Sequence, residues 1–287
     1  LSGSAVWSPG GVGGASDYFT ISGDSTASGC TAGGWDMANA GGTPINIGGA
    51  SRNFIKVTNL YFRRCASSCI TWGGQDNIIA NSVFNGANNN HIRVTVAGAR
   101  LTVTGSTFTD WGDNNSTAEA AINIEPADGV AVTSVVIGGS SANANSFSGN
   151  GTGRYGVSIY PAGATHTGTV TPITISYNTF TGSYSAQPIN VSRDSDYATI
   201  EYNDFSRMTS AGGGVIHIGG QGTIGACTYT TTGAIIRGNI IQGAIVNSVN
   251  PADASGAYPD ECSDTTLIQS NTIYNNEVAG IYLNDAA

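Results

Sequence analysis

Ile173-Thr-Ile-Ser-Tyr-Asn-Thr-Phe180 is a phrase that the chain repeats. Other copies are Ile55 to Phe62 (IKVTNLYF), Ile78 to Phe84 (IIANSVF), Leu101 to Phe108 (LTVTGSTF), Ala198 to Phe205 (ATIEYNDF), Ala234 to Ile241 (AIIRGNII) and Leu267 to Ile273 (LIQSNTI), with a looser one ending at Phe147. Apolar and polar residues alternate at period two, the signature of a strand with one buried face. Each copy closes on a large apolar residue, and an asparagine stands two places before it at Asn145, Asn178, Asn203, Asn239 and Asn271. A short amide recurring at one turn can bond a neighbouring backbone group or the same amide one repeat away, which would make a ladder.

The closing residues at 62, 84 and 108 are 22 and 24 residues apart, and later intervals are longer. Roughly 22 residues suit one turn of a parallel β-solenoid, the longer intervals carrying insertions. The spacing predicts an all-β solenoid of about nine or ten coils, one domain over residues 1–287. Residues 1–50 form irregular Gly-rich first coils with strands at Tyr18 to Ser22 and Pro44 to Ile47, and residues 51–287 form regular coils.

Between the repeats lies a second family of strands: Cys69 to Gly74, His91 to Val96, Ala121 to Glu125, Val157 to Pro161, Pro188 to Arg193, Val215 to Gly219, Ala244 to Val249 and Gly280 to Asp285. Aligning their inward apolar pairs puts Asn46, Thr71, Arg93, Asn123, Ser158, Asn190, His217, Val246 and Tyr282 in one outward column. Gly48, Gly73, Thr95, Glu125, Tyr160, Ser192, Gly219, Ser248 and Asn284 form the next. Long insertions leave from the ends of these strands at 126–134, 162–172, 220–233 and 250–266, so they wall off one flank as a groove.

Composition narrows the function. The net charge is −9 and Lys56 is the only lysine, which leaves no basic stripe for a phosphate backbone and argues against a nucleic-acid partner. No run of about 18 apolar residues suggests a membrane span. The chain starts at Leu1 without a charged, apolar leader, as expected of a processed mature protein or of a trimmed chain. Neither end carries an amphipathic helix that would cover a solenoid's unpaired edge, so self-association into a homo-oligomer or filament is expected there. The five cysteines point to disulfides and an extracellular or cell-surface setting. Cys227 and Cys262 lie in insertions that stacking brings together, and Cys65 could pair with Cys69, or either of these with Cys30.

Through its repeated V-x-I-x-x-N-x-F coils, over about residues 45 to 285, the chain resembles the right-handed parallel β-helix, pectate-lyase-like superfamily. The resemblance implies a right-handed coil and a range of roles: lyases, epimerases, hydrolases, phage tailspikes and adhesins share it. Lys56 falls on the repeat strand outside the groove, so the lysine and arginine pair of the lyases has no clear counterpart. The Asp-Pro-His stretch of mannuronan epimerases and the Asp-Asp and Gly-His-Gly signatures of polygalacturonases are missing as well.

Two functional expectations follow. In one, an acidic polysaccharide is bound and cleaved by β-elimination: Asn190 and Arg193 neutralise the carboxylate, His217 takes the proton and Tyr160 supplies one, while Arg93, Asn123, Glu125 and Ser158 bind substrate. In the other, the chain is a non-catalytic adhesin-like, tailspike-like or filament-forming subunit. Glu125 with Asp194 or Asp196 is the weaker, glycosidase alternative. No cofactor is expected beyond Ca²⁺, which Asp194 and Asp196 could bind. Gly220 to Gly225 (GQGTIG) matches a dinucleotide fingerprint without the helix that motif needs. His91 would face a distant subsite, and His166 sits in a Thr/Gly loop.

Overall fold

The computed structural model describes residues 18–23, 34–38, 42–48, 52–112, 119–162, 168–211, 214–223, 226–243 and 255–284. It is a right-handed parallel β-helix built from three long sheets. Each repeat is a strand, a sharp corner and the start of a second strand. Ile173–Ser176 belongs to the first sheet, Tyr177 makes the corner, and Thr179–Tyr184 enters the second sheet. The whole phrase is therefore two strands, because Tyr177 takes the left-handed conformation (φ 58°) and breaks the alternation. Asn59, Asn81, Tyr202 and Ser270 turn the same corner in other coils, also at positive φ.

The first and second sheets have nine strands each, from Phe19–Ser22 to Leu267–Gln269 and from Gly34–Asp36 to Thr272–Tyr274. The third runs through Ile45–Ile47, Ser68–Gln75, Asn90–Ala99, Ala120–Ile124, Tyr155–Ile159, Ile189–Ser192, Ile216–Gly219, Ser255–Pro259 and Ala279–Ile281. Pairing along all three is parallel, so each residue type recurs above its equivalent in the next coil.

Two internal columns hold the coils in register. Trp35, Phe62, Phe84, Phe108, Phe147, Phe180 and Phe205 stack through the core with ring centroids 4.7 to 5.7 Å apart and planes within about 11° of parallel. At the corner, the Nδ2 groups of Asn145, Asn178, Asn203 and Asn239 each donate to the Oδ1 of the next asparagine, ending on Asn271, at 2.9 to 3.0 Å. The same Oδ1 atoms accept the preceding asparagine's backbone N–H. A second Nδ2 bond goes back to a first-sheet carbonyl, as from Asn203 to Ile175. Ser82 and Ser106 continue the column in the earlier coils, where a hydroxyl accepts the backbone bond. The ladder thus satisfies the buried amides of each corner.

The expected Cys227–Cys262 disulfide is present, and Cys65 bonds Cys69; Cys30 lies outside the described residues. Ala244 to Val249 also lies outside them. The strand that follows Ile216–Gly219 in the third sheet is Ser255–Pro259, inside what the sequence suggests is an insertion. Within the glycine-rich motif, Gln221–Thr223 pairs antiparallel with Ala226–Tyr229, and residues 224 and 225 lie outside the described residues. His91 does not face a groove at all: it is fully buried among Phe84, Phe108 and Trp111, with no hydrogen-bond partner on either ring nitrogen.

Replacing Asn203 by Ala orphans the Nδ2-bonded carbonyl of Ile175 and the Asn178 amide, and should cost about 2–4 kcal/mol in denaturant unfolding. Burial pushes the His91 imidazole down to about 3. The unfolded chain takes up this proton near pH 6.5 while the folded chain refuses it, so stability falls as pH drops from about 6.5 towards 3, by an amount on the order of 4 kcal/mol. His91→Phe should remove that part of the acid slope, read as the change in melting temperature between pH 7 and pH 4.

Candidate functional site

The third sheet carries the candidate site because its outward side chains form straight columns. Register places Asn46, Thr71, Arg93, Asn123, Ser158, Asn190, His217 and Tyr258 side by side. Tyr258 therefore stands where the sequence alignment puts Val246. In the neighbouring column Ser192 pairs with Gly219, and Asp260, one residue past Pro259, takes the place expected of Ser248.

A groove of about 480 Å³ crosses these columns. Asn123, Glu125, Ser158, Tyr160, Asn190 and His217 all line it, together with Arg154, Tyr155, Gln187 and Ser192. From the coil of Glu125 to that of His217 is three steps, roughly 14 Å along the axis. Arg93 and Arg193 do not line it. Arg93 forms an ion pair with Glu125, one coil on and one column over. Arg193 lays its guanidinium 3.7 Å from the centroid of the Tyr160 ring and donates from Nη1 to the Pro161 carbonyl at 3.2 Å, which fixes the ring's orientation. Burial lowers the pKa of Arg193 from its ordinary value.

His217 repeats the diagonal pattern of Arg93. Its Nδ1 lies 2.7 Å from Asn190 Oδ1 and its Nε2 3.0 Å from Asp260 Oδ2, so each ring nitrogen faces an oxygen. The imidazole reaches Asp260 by leaning across Gly219. A Cβ there would stand 2.8 Å from His217 Cε1, so the close approach requires glycine.

Asp260 is the centre of the missed part of the site. Its Oδ1 accepts from Tyr258 Oη at 2.9 Å, Asn284 Nδ2 at 2.8 Å and the Glu261 amide at 2.8 Å. Burial pushes this carboxyl up, but hydrogen bonds from His217 and Asn284 outweigh it and hold it well below the usual carboxylate range. The Tyr258 phenol is pushed up by burial and by its bond to Asp260. The loop is pinned beneath them by the Cys227–Cys262 disulfide and by Gly220 N donating to Glu261 O at 2.8 Å.

Two of the carboxylates considered for glycosidase or Ca²⁺ chemistry, Glu125 and Asp196, are engaged elsewhere. Glu125 is held by Arg93, and Asp196 Oδ1 accepts from the Thr232 amide at 2.8 Å. Among the described residues no group of three or more His, Cys, Asp or Glu could hold a metal ion. His166 lies outside the described residues.

No protein-family model and no curated protein matches the sequence. Solved structures similar to the chain include a surface adhesin and a tailspike protein. One is PfbA, a surface adhesin of Streptococcus pneumoniae, at 12% identity and TM-score 0.45, covering 88% of this chain and 69% of that one. The other is the Dettilon tailspike protein, at 10% identity and TM-score 0.45, covering 84% of this chain and 52% of that one.

Asp260→Ala strips partners from His217, Tyr258 and Asn284 and should loosen the coils that carry them by about 1–2 kcal/mol, allowing for partial exposure. Because coils contact only their neighbours, amides in 255–284 should exchange faster while those in 173–205 hold. The Asp260 carboxyl is depressed on folding, so its contribution is present above the unfolded value near pH 4 and fades as pH falls below it. Wild type and variant should therefore converge in acid.

Proposed function

We propose that the protein is an extracellular glycan-binding β-helix, an adhesin-like or tailspike-like surface protein that holds an extended polysaccharide in this groove without cleaving it. The groove offers what sugars need: amides and hydroxyls at Asn123, Ser158 and Asn190, and an aromatic ring at Tyr160 that stays 36% exposed while Arg193 steadies it. Two disulfides suit an oxidising, extracellular compartment. Among the described residues, no helix is long and apolar enough to cross a membrane.

The single observation that carries binding over cleavage is the state of His217. A general base needs a ring nitrogen turned to the substrate proton, and both nitrogens of His217 are already engaged, with Asn190 and Asp260. Tyr160, the acid of the elimination scheme, belongs to a coil two steps away, roughly 10 Å along the axis.

A second reading, β-elimination with His217 as base, Tyr160 as acid and Asn190 and Arg193 on the carboxylate, is favoured by Tyr160, Asn190 and His217 lining one groove. Ultraviolet absorbance at the unsaturated product separates the two. Alginate, pectate and chondroitin should each give no absorbance, while at least one polysaccharide binds in calorimetry. Tyr160→Ala should weaken that binding about tenfold. Product absorbance that disappears in His217→Ala would replace the binding reading with the enzymatic one, and absence of binding across a broad glycan panel would overturn both.

A further inference from the structure

Arg154 is the cation in the groove to which the sequence assigns no task. It immediately precedes the strand Tyr155–Ile159 and so stands at the opposite edge of the groove from Tyr160. Four other arginines end on carboxylates: Arg64 on Asp36, Arg93 on Glu125, Arg100 on Asp76 and Arg237 on Glu201. Arg154 makes no ion pair with any described residue. Its guanidinium lies 5.4 Å from the Tyr155 ring and donates from Nη2 to Tyr155 Oη at a long 3.3 Å, while its buried Nε has no partner.

Glu119, buried on the preceding coil, lines a second pocket with Arg154 without forming an ion pair to it, and the other charges nearby are settled within the protein. Glu125 is neutralised by Arg93, and Asp260, whose neighbour His217 lines the groove, accepts four hydrogen bonds. Arg193 is occupied by Tyr160 and Pro161. In a chain of net charge −9, an arginine held at a groove by packing, with no acid on its planar fork, is set to take its anion from outside. Gln187 also lines the groove and adds an amide donor. Ser192 Oγ, also buried without a partner, leaves a second unmet hydrogen bond inside the groove.

The geometry points to a carboxylate-reading subsite at Arg154: the glycan is an acidic one, and a uronate carboxylate docks on this guanidinium, with the rest of the chain running towards Ser192 and Tyr160. This assignment rests on the glycan-binding reading above and moves the acid-recognising role from Arg193 to Arg154. A lysine cannot replace it fully, because a point charge lacks the fork that matches a planar carboxylate.

Calorimetric titration of an oligouronate and of its methyl ester into wild type, Arg154→Gln and Arg154→Lys tests it. Wild type should bind the free acid at least tenfold more tightly than the ester. Arg154→Gln should lose that preference while its affinity for the ester changes less than twofold, which also shows that the groove is still folded. Arg154→Lys should keep part of the preference, and keep less of it at high salt than wild type. A preference that survives in Arg154→Gln, or wild type binding ester and acid equally, overturns the Arg154 subsite and leaves glycan binding standing. Wild type binding neither form, nor any glycan on the panel, removes the glycan reading and the subsite with it.

Discussion

The amide of one corner asparagine bonding the amide of the next is the constraint on which the structure rests. Strands in a parallel sheet sit about 4.8 Å apart, and the Asn145-to-Asn271 ladder and the Phe62-to-Phe205 stack both repeat close to that spacing. The stack supplies apolar burial without direction, and the ladder supplies direction with little burial. Together they forbid a one-residue slip, which would turn every inward side chain out. A buried amide is costly unless fully paired, so the ladder specifies register more sharply than hydrophobic packing alone can.

Fixed register has a consequence on the outside of the third sheet. Residues far apart in the chain become neighbours at a set pitch, and charged groups pair on the diagonal, Arg93 with Glu125 and His217 with Asp260. Each pair joins one coil to the next and removes a charge that the groove would otherwise present. What remains is a polar surface of amides and hydroxyls with one steadied aromatic ring, a surface suited to holding an uncharged ring face. Arg154 is the arginine that lines this groove among the described residues. Insertions do the positioning: the disulfide between Cys227 and Cys262 holds the loop on which Asp260 sits, so the deepest polar network of the site depends on the least regular part of the chain.

The aromatic core admits an imidazole. His91 lies among aromatic rings with neither nitrogen paired, at the corner where Asn90–Ala99 begins, so its side chain turns inward next to Ile92 instead of opposite to it. Asn90, His91 and Ile92 are all buried, so period-two alternation fails at the start of this strand.

The sequence by itself determined the solenoid, its pitch, the asparagine ladder, the recurring large apolar residue that closes each repeat and most of the columns, because each is a periodic property and a period survives in one dimension. It also placed Asn123, Ser158, Tyr160, Asn190 and His217 on a common face, since the apolar pairs beside them keep the register legible. Only the tertiary structure decided which residue follows His217 across the sheet. Ser255–Pro259 lacks the V-x-I alternation, its inward positions being Ala257 and Pro259, so nothing local distinguishes it from the insertion around it. That one strand brings Tyr258 and Asp260 to His217 and engages the imidazole. The pairing of Arg93, the stacking of Arg193 and the unpaired state of Arg154 were likewise beyond the sequence, because an arginine's partner is chosen by where a long side chain can reach in space, and reach carries no period.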